Sequence, residues 1–489
     1  MTYRITILPQ EKTIEAPAGS NLLTVLRDAG HAPDAPCGGM GTCGKCTVFI
    51  DGQPLRACTV PVDRDMTITL SDRAEAQILT AGIAVAAPVA AGGHRIAVDI
   101  GTTTVVAVLL APDGRELAVE SARNPQAPYG ADVVSRIRAA MDGSMEALTA
   151  VIRTCLNEMT QNLCARAGIS PEAATLVSVV GNPAMQQLFL GISLENLAHP
   201  PFSPVLTQAE AVDAGTYLPG LKNAKLIIVP DISGFVGADT LGCMLALELD
   251  RREEMTLLVD IGTNGEMVLG NRNRRISCST AAGPALEGAN IQCGMGAQAG
   301  AIDHVWIENG KLAYRVICGG EAEGICGSGI IDTAAAALEL GLLNSRGKIL
   351  NKAQRIVLTD RVFLTQEDIR QVQLAKGAIA AGIQLLAQRM DISLEDIHRV
   401  FLAGAFGTYM DPASACRMGL LPPELSGRIE AVGNAALSGA KLLAMDPGAM
   451  DRCQRLAAQT QDLNLSQTPE FPRTFAKCMR FDTGSGGTI

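Results

Sequence analysis

The pentapeptide VDIGT occurs twice, at Val98 to Thr102 and at Val259 to Thr263, each time at the end of an apolar run: IAVDIGTTTVVAVLL and TLLVDIGTNGEMVLG. Chance repetition of five residues in a chain of 489 is improbable, so the two copies are expected to do the same physical work. Each run reads as strand, tight turn, strand, which puts each copy at the turn of a β-hairpin. That separates it from the P-loop and dinucleotide fingerprints, where the glycines open a helix. The turn chemistry still asks for phosphate. Gly101 and Gly262 let the backbone approach an anion, while Thr102, Thr103 and Thr104, or Thr263 and Asn264, present hydroxyl, amide and N–H donors. Asp99 and Asp260 end their strands, where a carboxylate can hold Mg²⁺ through water. Two such hairpins face to face would clamp a triphosphate from both sides.

Two more glycine turns suit the same site. GICGSGIIDTAAAALEL places Gly327, Ser328 and Gly329 where a turn opens a helix, a contact for an anion or sugar through free N–H groups. RVFLAGAFGTYM runs from a strand into a turn holding Gly404 and Gly407 and resembles an adenosine-binding motif. Glu287 and Asp303 border these loops and are weighed as water-positioning groups against simple ion pairs or caps.

The N-terminal stretch raises a different chemistry. Cys37, Cys43, Cys46 and Cys58 are spaced C-x5-C-x2-C-x11-C, with Gly38, Gly39, Gly41 and Gly44 among the first three. Plant-type ferredoxins hold a [2Fe–2S] cluster with C-x4-C-x2-C…C, one residue shorter in the first gap. The rivals are a structural zinc site and unliganded core cysteines, although zinc ribbons favour two C-x2-C knuckles and one is present. Around the cysteines, TYRITILPQ, KTIEAP, KCTVFIDGQ and MTITL read as strands. SNLLTVLRDAG reads as a helix capped by Ser20 or Asn21, and Asp51-Gly52 as a hairpin turn that returns Cys58 to the site. The other ten cysteines are scattered singly and most read as small buried hydrophobes, while Cys318 and Cys326 flank a glycine-rich loop where a redox role is the alternative.

Composition narrows the partners. Aromatics are 3% and the net charge is −10, which leaves no stacking platform or basic footprint for nucleic acid. No signal peptide or run of about 18 apolar residues is evident, so a cytoplasmic protein without a membrane span is expected. SDRAEAQILTAGIAVAAPVAAGG, Ser71 to Gly93, reads as a linker, partly helical at first and flexible later.

Two phosphate hairpins, a glycine turn at a helix start and a late adenosine turn resemble the sugar kinase–Hsp70–actin superfamily over roughly residues 95 to 445. GNPAMQQLFLGI, DISGFVGADTLGCML, CSTAAGPALEGANIQCGMGAQAGAI, LTQEDIRQVQLAKGAIAAGI and VGNAALSGA, joined behind a ferredoxin segment, are similar to the ATP-dependent reductive activators of corrinoid proteins. The resemblance implies an α+β and α/β multidomain chain. Residues 1–74 would form a β-grasp [2Fe–2S] ferredoxin domain and 75–94 a linker. Residues 95–250 and 251–489 would form two actin-like (ribonuclease H-like) subdomains around a nucleotide cleft. It implies an ATPase that returns a corrinoid partner of a methyltransferase system from Co(II) to Co(I), fed by an upstream electron donor and acting as a homodimer. A plant-type cluster sits near about −400 mV, and each 59 mV uphill costs a single electron about 1.4 kcal/mol, which ATP can offset.

The chain departs from larger relatives in its short linker, in a tail without [4Fe–4S] motifs, and in Gln187 where many carry His. Alternative readings are an activator ATPase for a different metalloenzyme, such as a radical acyl-CoA dehydratase, and a binding module that uses nucleotide as a conformational ligand. A third is a small-molecule kinase with a fused redox domain, using Asp231 or Asp239 as base.

Overall fold

The computed structural model describes residues 2–8, 11–33, 35, 39, 41, 46–70, 82–83 and 92–481. Cys37, Cys43 and nearly all of the linker lie outside the described residues. At the N-terminus, a five-stranded sheet runs in the order Lys12–Pro17, Thr2–Leu8, Met66–Thr69, Thr47–Ile50, Gln53–Arg56. The helix Leu22–Asp28 covers one face of it, burying Leu22, Leu23 and Leu26 against Ile5, Ile7, Val48 and Ile68. Asn21 is the N-cap, accepting from Thr24 N at 3.3 Å, and Asn21 Nδ2 donates to the Cys58 carbonyl at 2.8 Å. One residue thus starts the helix and fixes the fourth cysteine. Asp51 and Gly52 both have positive φ (50° and 81°), as a tight hairpin turn requires.

The two VDIGT runs seed two six-stranded sheets of the same design. In the first, the antiparallel meander His94–Ile100, Thr104–Leu110, Glu116–Arg123 is extended on its other side by Ala174–Gly181 and then Lys225–Ile228, each parallel to the strand before it, with Glu210–Asp213 antiparallel at the edge. In the second, Thr256–Ile261, Gly265–Gly270 and Arg275–Thr280 form the meander, with Arg399–Ala403 and Ile429–Gly433 added in parallel. Strands such as TVVAVLL are apolar at nearly every position because helices cover both faces. On the first sheet, Met145–Ala167 packs on one side while Ala238–Ala246 and Ala435–Met445 pack on the other. This is the ferredoxin-plus-actin-like architecture the sequence implied.

The halves are not independent bodies. One core contains Ala97, Val106 and Val108 of the first sheet together with Leu258, Val268 and Phe401 of the second. Helix Ala435–Met445, late in the chain, crosses Ala238–Ala246 so closely that a Cβ on Gly439 would lie 2.1 Å from the Gly242 carbonyl oxygen. The cleft opens between the two hairpin turns, above this crossing.

Candidate functional site

Both hairpin turns line one cleft of about 460 Å³. Asp99, Gly101, Thr102, Thr103 and Thr104 form one wall, Asp260, Gly262, Thr263 and Asn264 the facing one, and Gly327, Ser328 and Gly404 complete it. The structure therefore gathers segments more than 300 residues apart around a single space. Gly329 and Gly407 do not line it. A Cβ on Gly329 would lie 2.4 Å from the Ile302 carbonyl oxygen, and one on Gly407 would lie 3.1 Å from Leu402 Cβ. Both glycines serve tight packing behind the cleft instead of contact within it. Asp303 is also held elsewhere, paired with Arg315 at 2.6 Å, whereas Glu287 lines the cleft and accepts from Thr263 Oγ1 at 3.1 Å. Asp231 is buried away from the lining, which removes it as a base acting in this cleft.

Several lining residues were not singled out from sequence. Glu266 is the cross-strand partner of Asp260 and accepts from Ser279 Oγ at 3.1 Å. Its signal was available: a lone acid on an apolar strand, in hairpin register with the aspartate. Asn434 donates to Asp99 Oδ2 at 2.9 Å and caps helix Ala435–Met445. Asn182 Nδ2 donates to Thr102 Oγ1 at 3.1 Å. Arg136 is fully buried, and its Nη2 donates to the Thr102 carbonyl at 2.6 Å.

The cleft is rich in carboxylates. Burial pushes Asp99 up to about 7, against the lowering bond from Asn434 and helped by the charges of Asp239 and Asp260. Burial, then the charge of Asp239, pushes Asp260 up to about 7; burial likewise lifts Asp239 to about 6 and raises Glu266 and Glu287. Five acids lining a pocket between two glycine turns make sense if a divalent cation balances their charge. Among the described residues, no three His, Cys, Asp or Glu groups converge closely enough to hold a metal alone. A cation here would complete its shell with water and phosphate oxygens, the habit of Mg²⁺.

A pH prediction follows. A carboxyl raised in the folded state stabilises the fold below its unfolded value of about 3.9, and that contribution is lost as pH rises through the folded value. In metal-free, nucleotide-free protein the Tm is expected to fall as pH rises from about 4 through about 7, and Asp260→Asn to flatten that fall. Mg-nucleotide affinity should climb over the same window, because the cation requires the ionised form. Superimposable Tm profiles for the variant and the wild type would sink the assignment.

Gly404 supports the geometry from beneath. Its φ is +83°, and a Cβ there would lie 2.6 Å from Asp260 Oδ1. Gly404→Ala is therefore expected to cost about 1–3 kcal/mol in backbone strain and to weaken Mg-nucleotide binding by about tenfold or more, read by isothermal titration. Unchanged affinity would show that Asp260 needs no such clearance.

In the N-terminal domain, Cys46 and Cys58 are buried, with their sulfurs 3.2 Å apart. Two thiols converging without a disulfide fit joint ligation of soft, thiophilic iron. Of the scattered cysteines, Cys164, Cys243, Cys278, Cys326, Cys416, Cys453 and Cys478 are buried, as expected of small core residues.

Fold and site together define an actin-like nucleotide-cleft protein carrying a ferredoxin domain. Comparison with known proteins agrees along the chain. Residues 5–77 match the 2Fe-2S iron-sulfur cluster binding domain, 94–252 the RACo middle region, and 254–485 the C-terminal domain of RACo, the ASKHA domain. The corrinoid activation enzyme RamQ of Eubacterium limosum is 34% identical over 412 residues, covering 78% of this chain and 69% of that protein. A Co(II) methylated amine-specific corrinoid protein reductase of Methanosarcina barkeri is 30% identical over 335 residues, 62% of each chain, so the match spans less than two thirds of that relative. A solved reductive activator for a corrinoid, iron-sulfur protein superposes with a TM-score of 0.71 at 27% identity, covering 98% of both chains. The chain belongs to the family of reductive activators of corrinoid proteins.

Proposed function

We propose that the chain uses ATP to drive the return of a corrinoid protein's cobalt from Co(II) to Co(I), for a methyltransferase system. The observation that carries this is the pairing of two symmetric, acid-backed phosphate hairpins over one cleft with a separate buried thiol site. In this reading the turns Gly101–Thr104 and Gly262–Asn264 hold the phosphates through N–H and hydroxyl donors. Asp99 and Asp260, with Asp239 and Glu266, would hold a Mg²⁺ ion that offsets the phosphate charge, and Glu287 orients Thr263. The free N–H groups at Gly327 and Ser328, which begin helix Gly327–Glu339, contact the ribose or phosphate. Gly404 and Phe406 border the base. Closure of the two lobes on nucleotide supplies the conformational step.

Cys37, Cys43, Cys46 and Cys58 would hold a [2Fe–2S] cluster, whose chemistry is to accept and release one electron. The upstream donor is another protein or a small reductant. A homodimer and a cytoplasmic setting complete the proposal, the latter supported by thiols outside disulfides. Among the described residues no helix is long and apolar enough to cross a membrane. The test is anaerobic: iron and sulfide analysis, the electron paramagnetic resonance signal of the reduced protein, and ATP hydrolysis with and without a Co(II) corrinoid protein. Stoichiometric iron and stimulated hydrolysis are expected. A chain without iron, or one that transfers phosphate to a small hydroxyl compound, would overturn the reading in favour of a kinase.

A further inference from the structure

Among the described residues, the N-terminal domain touches the actin-like body through the side chains of Arg27 and Tyr129. The Arg27 guanidinium carbon lies 5.6 Å from the centre of the Tyr129 ring, so helix Leu22–Asp28 reaches the actin-like body there. On its other side Arg27 faces the thiol site. A Cβ built on Gly39 would sit 3.8 Å from both Arg27 Nη2 and Cys58 Cβ. Arg27 Nε and Nη2 are shut off from solvent and donate to no described residue. A half-buried cation whose donor atoms are shut off from solvent needs negative charge nearby. A thiolate-ligated iron–sulfur group carries that charge, and more of it when reduced.

Tyr129 belongs to a segment bolted to the first phosphate turn. Asn124 Nδ2 donates to the Gly101 carbonyl at 2.8 Å, Arg136 Nη2 to the Thr102 carbonyl at 2.6 Å, and Asn124 N to the Thr103 carbonyl at 2.9 Å. All three turn carbonyls are thus held by the stretch 124–136. Arg136 Nε also donates to the Gly130 carbonyl at 2.9 Å, next to Tyr129 in sequence, which stiffens the connection. A shift of the turn on nucleotide binding therefore moves Tyr129 against Arg27.

We propose that the Arg27–Tyr129 contact carries the nucleotide state of the cleft to the cluster site, with Arg27 as a positioning residue whose charge sets the field at Cys46 and Cys58. This rests on the functional reading above. It goes further by assigning the route of coupling to two residues outside the phosphate and thiol sites.

The test is the cluster's midpoint potential, measured by anaerobic titration with and without Mg-AMPPNP. Wild type, Arg27→Gln, Arg27→Lys and Tyr129→Leu are compared after iron content and Tm are matched. Expected is a midpoint that moves with nucleotide in wild type. In Arg27→Gln it should lie at more negative potential and no longer respond to nucleotide, and Arg27→Lys should restore much of both properties. Tyr129→Leu should keep the nucleotide-free midpoint and lose the response. A wild-type response preserved in Tyr129→Leu, or a wild-type midpoint in Arg27→Gln, would overturn the proposal. A wild-type chain that lacks iron or fails to bind nucleotide would overturn the functional reading and this proposal with it. Iron and nucleotide both bound, with an unresponsive wild-type midpoint, would overturn this proposal alone.

Discussion

Asp260→Asn is expected to reduce ATP-dependent Co(I) formation by on the order of 10²–10³-fold, the usual effect of removing one well-placed electrostatic group from a reacting site. The same variant should fold as well as wild type, and at pH 8 should show an equal or higher Tm without nucleotide. The reason lies in its surroundings. Asp260 is half-buried beside Asp239 and Glu266, and desolvation, then the charge of Asp239, pushes its carboxyl up to about 7, so ionising it without a cation costs stability. Asparagine removes that cost and keeps the shape, while Cys243 Sγ, 3.9 Å from Oδ2, stays in place. Activity lost with stability kept separates a nucleotide role from a structural one. A variant that unfolds, or that retains full activity, contradicts the assignment.

Cys58→Ser is expected to have the second large effect, in a different place. The serine oxygen is a poor replacement for a soft thiolate, so the visible absorption of the iron site should be lost or strongly altered and electron delivery abolished. Nucleotide affinity should stay within about twofold, because the actin-like lobes share a core of their own that excludes residues 1–70. Loss of nucleotide binding in this variant would show that the N-terminal domain is needed to form the cleft. Retention of an unaltered iron site would exclude Cys58 as a ligand.

The doubled pentapeptide carried most of what was legible in the sequence. Two identical turns at the ends of apolar runs implied hairpins in a pseudo-repeat, and the structure places both on one cleft with all nine of their assigned residues lining it. Residue type alone misled at Gly329 and Gly407, since a glycine demanded by a neighbouring carbonyl or side chain reads in sequence like one demanded by a ligand. Glu266 was legible in hindsight from hairpin register. Asn434 was not, because its meeting with Asp99 depends on a helix 335 residues downstream crossing onto the first sheet. Arg136 was hidden for another reason. A basic residue on an amphipathic helix ordinarily faces water, and the carbonyls of Gly130 and Thr102, with Gln126 Oε1, account for its burial.

Nucleotide in the cleft is expected to license electron delivery from the cysteine site. The most direct measurement mixes reduced protein anaerobically with a cognate Co(II) corrinoid protein and follows the Co(I) absorption band together with the iron–sulfur absorption, with and without Mg-ATP. The expected result is Co(I) growth that matches bleaching recovery of the iron–sulfur band and occurs only with Mg-ATP. Co(I) forming equally without nucleotide, or persistent Co(II) while ATP is hydrolysed and the iron site stays intact, would contradict it.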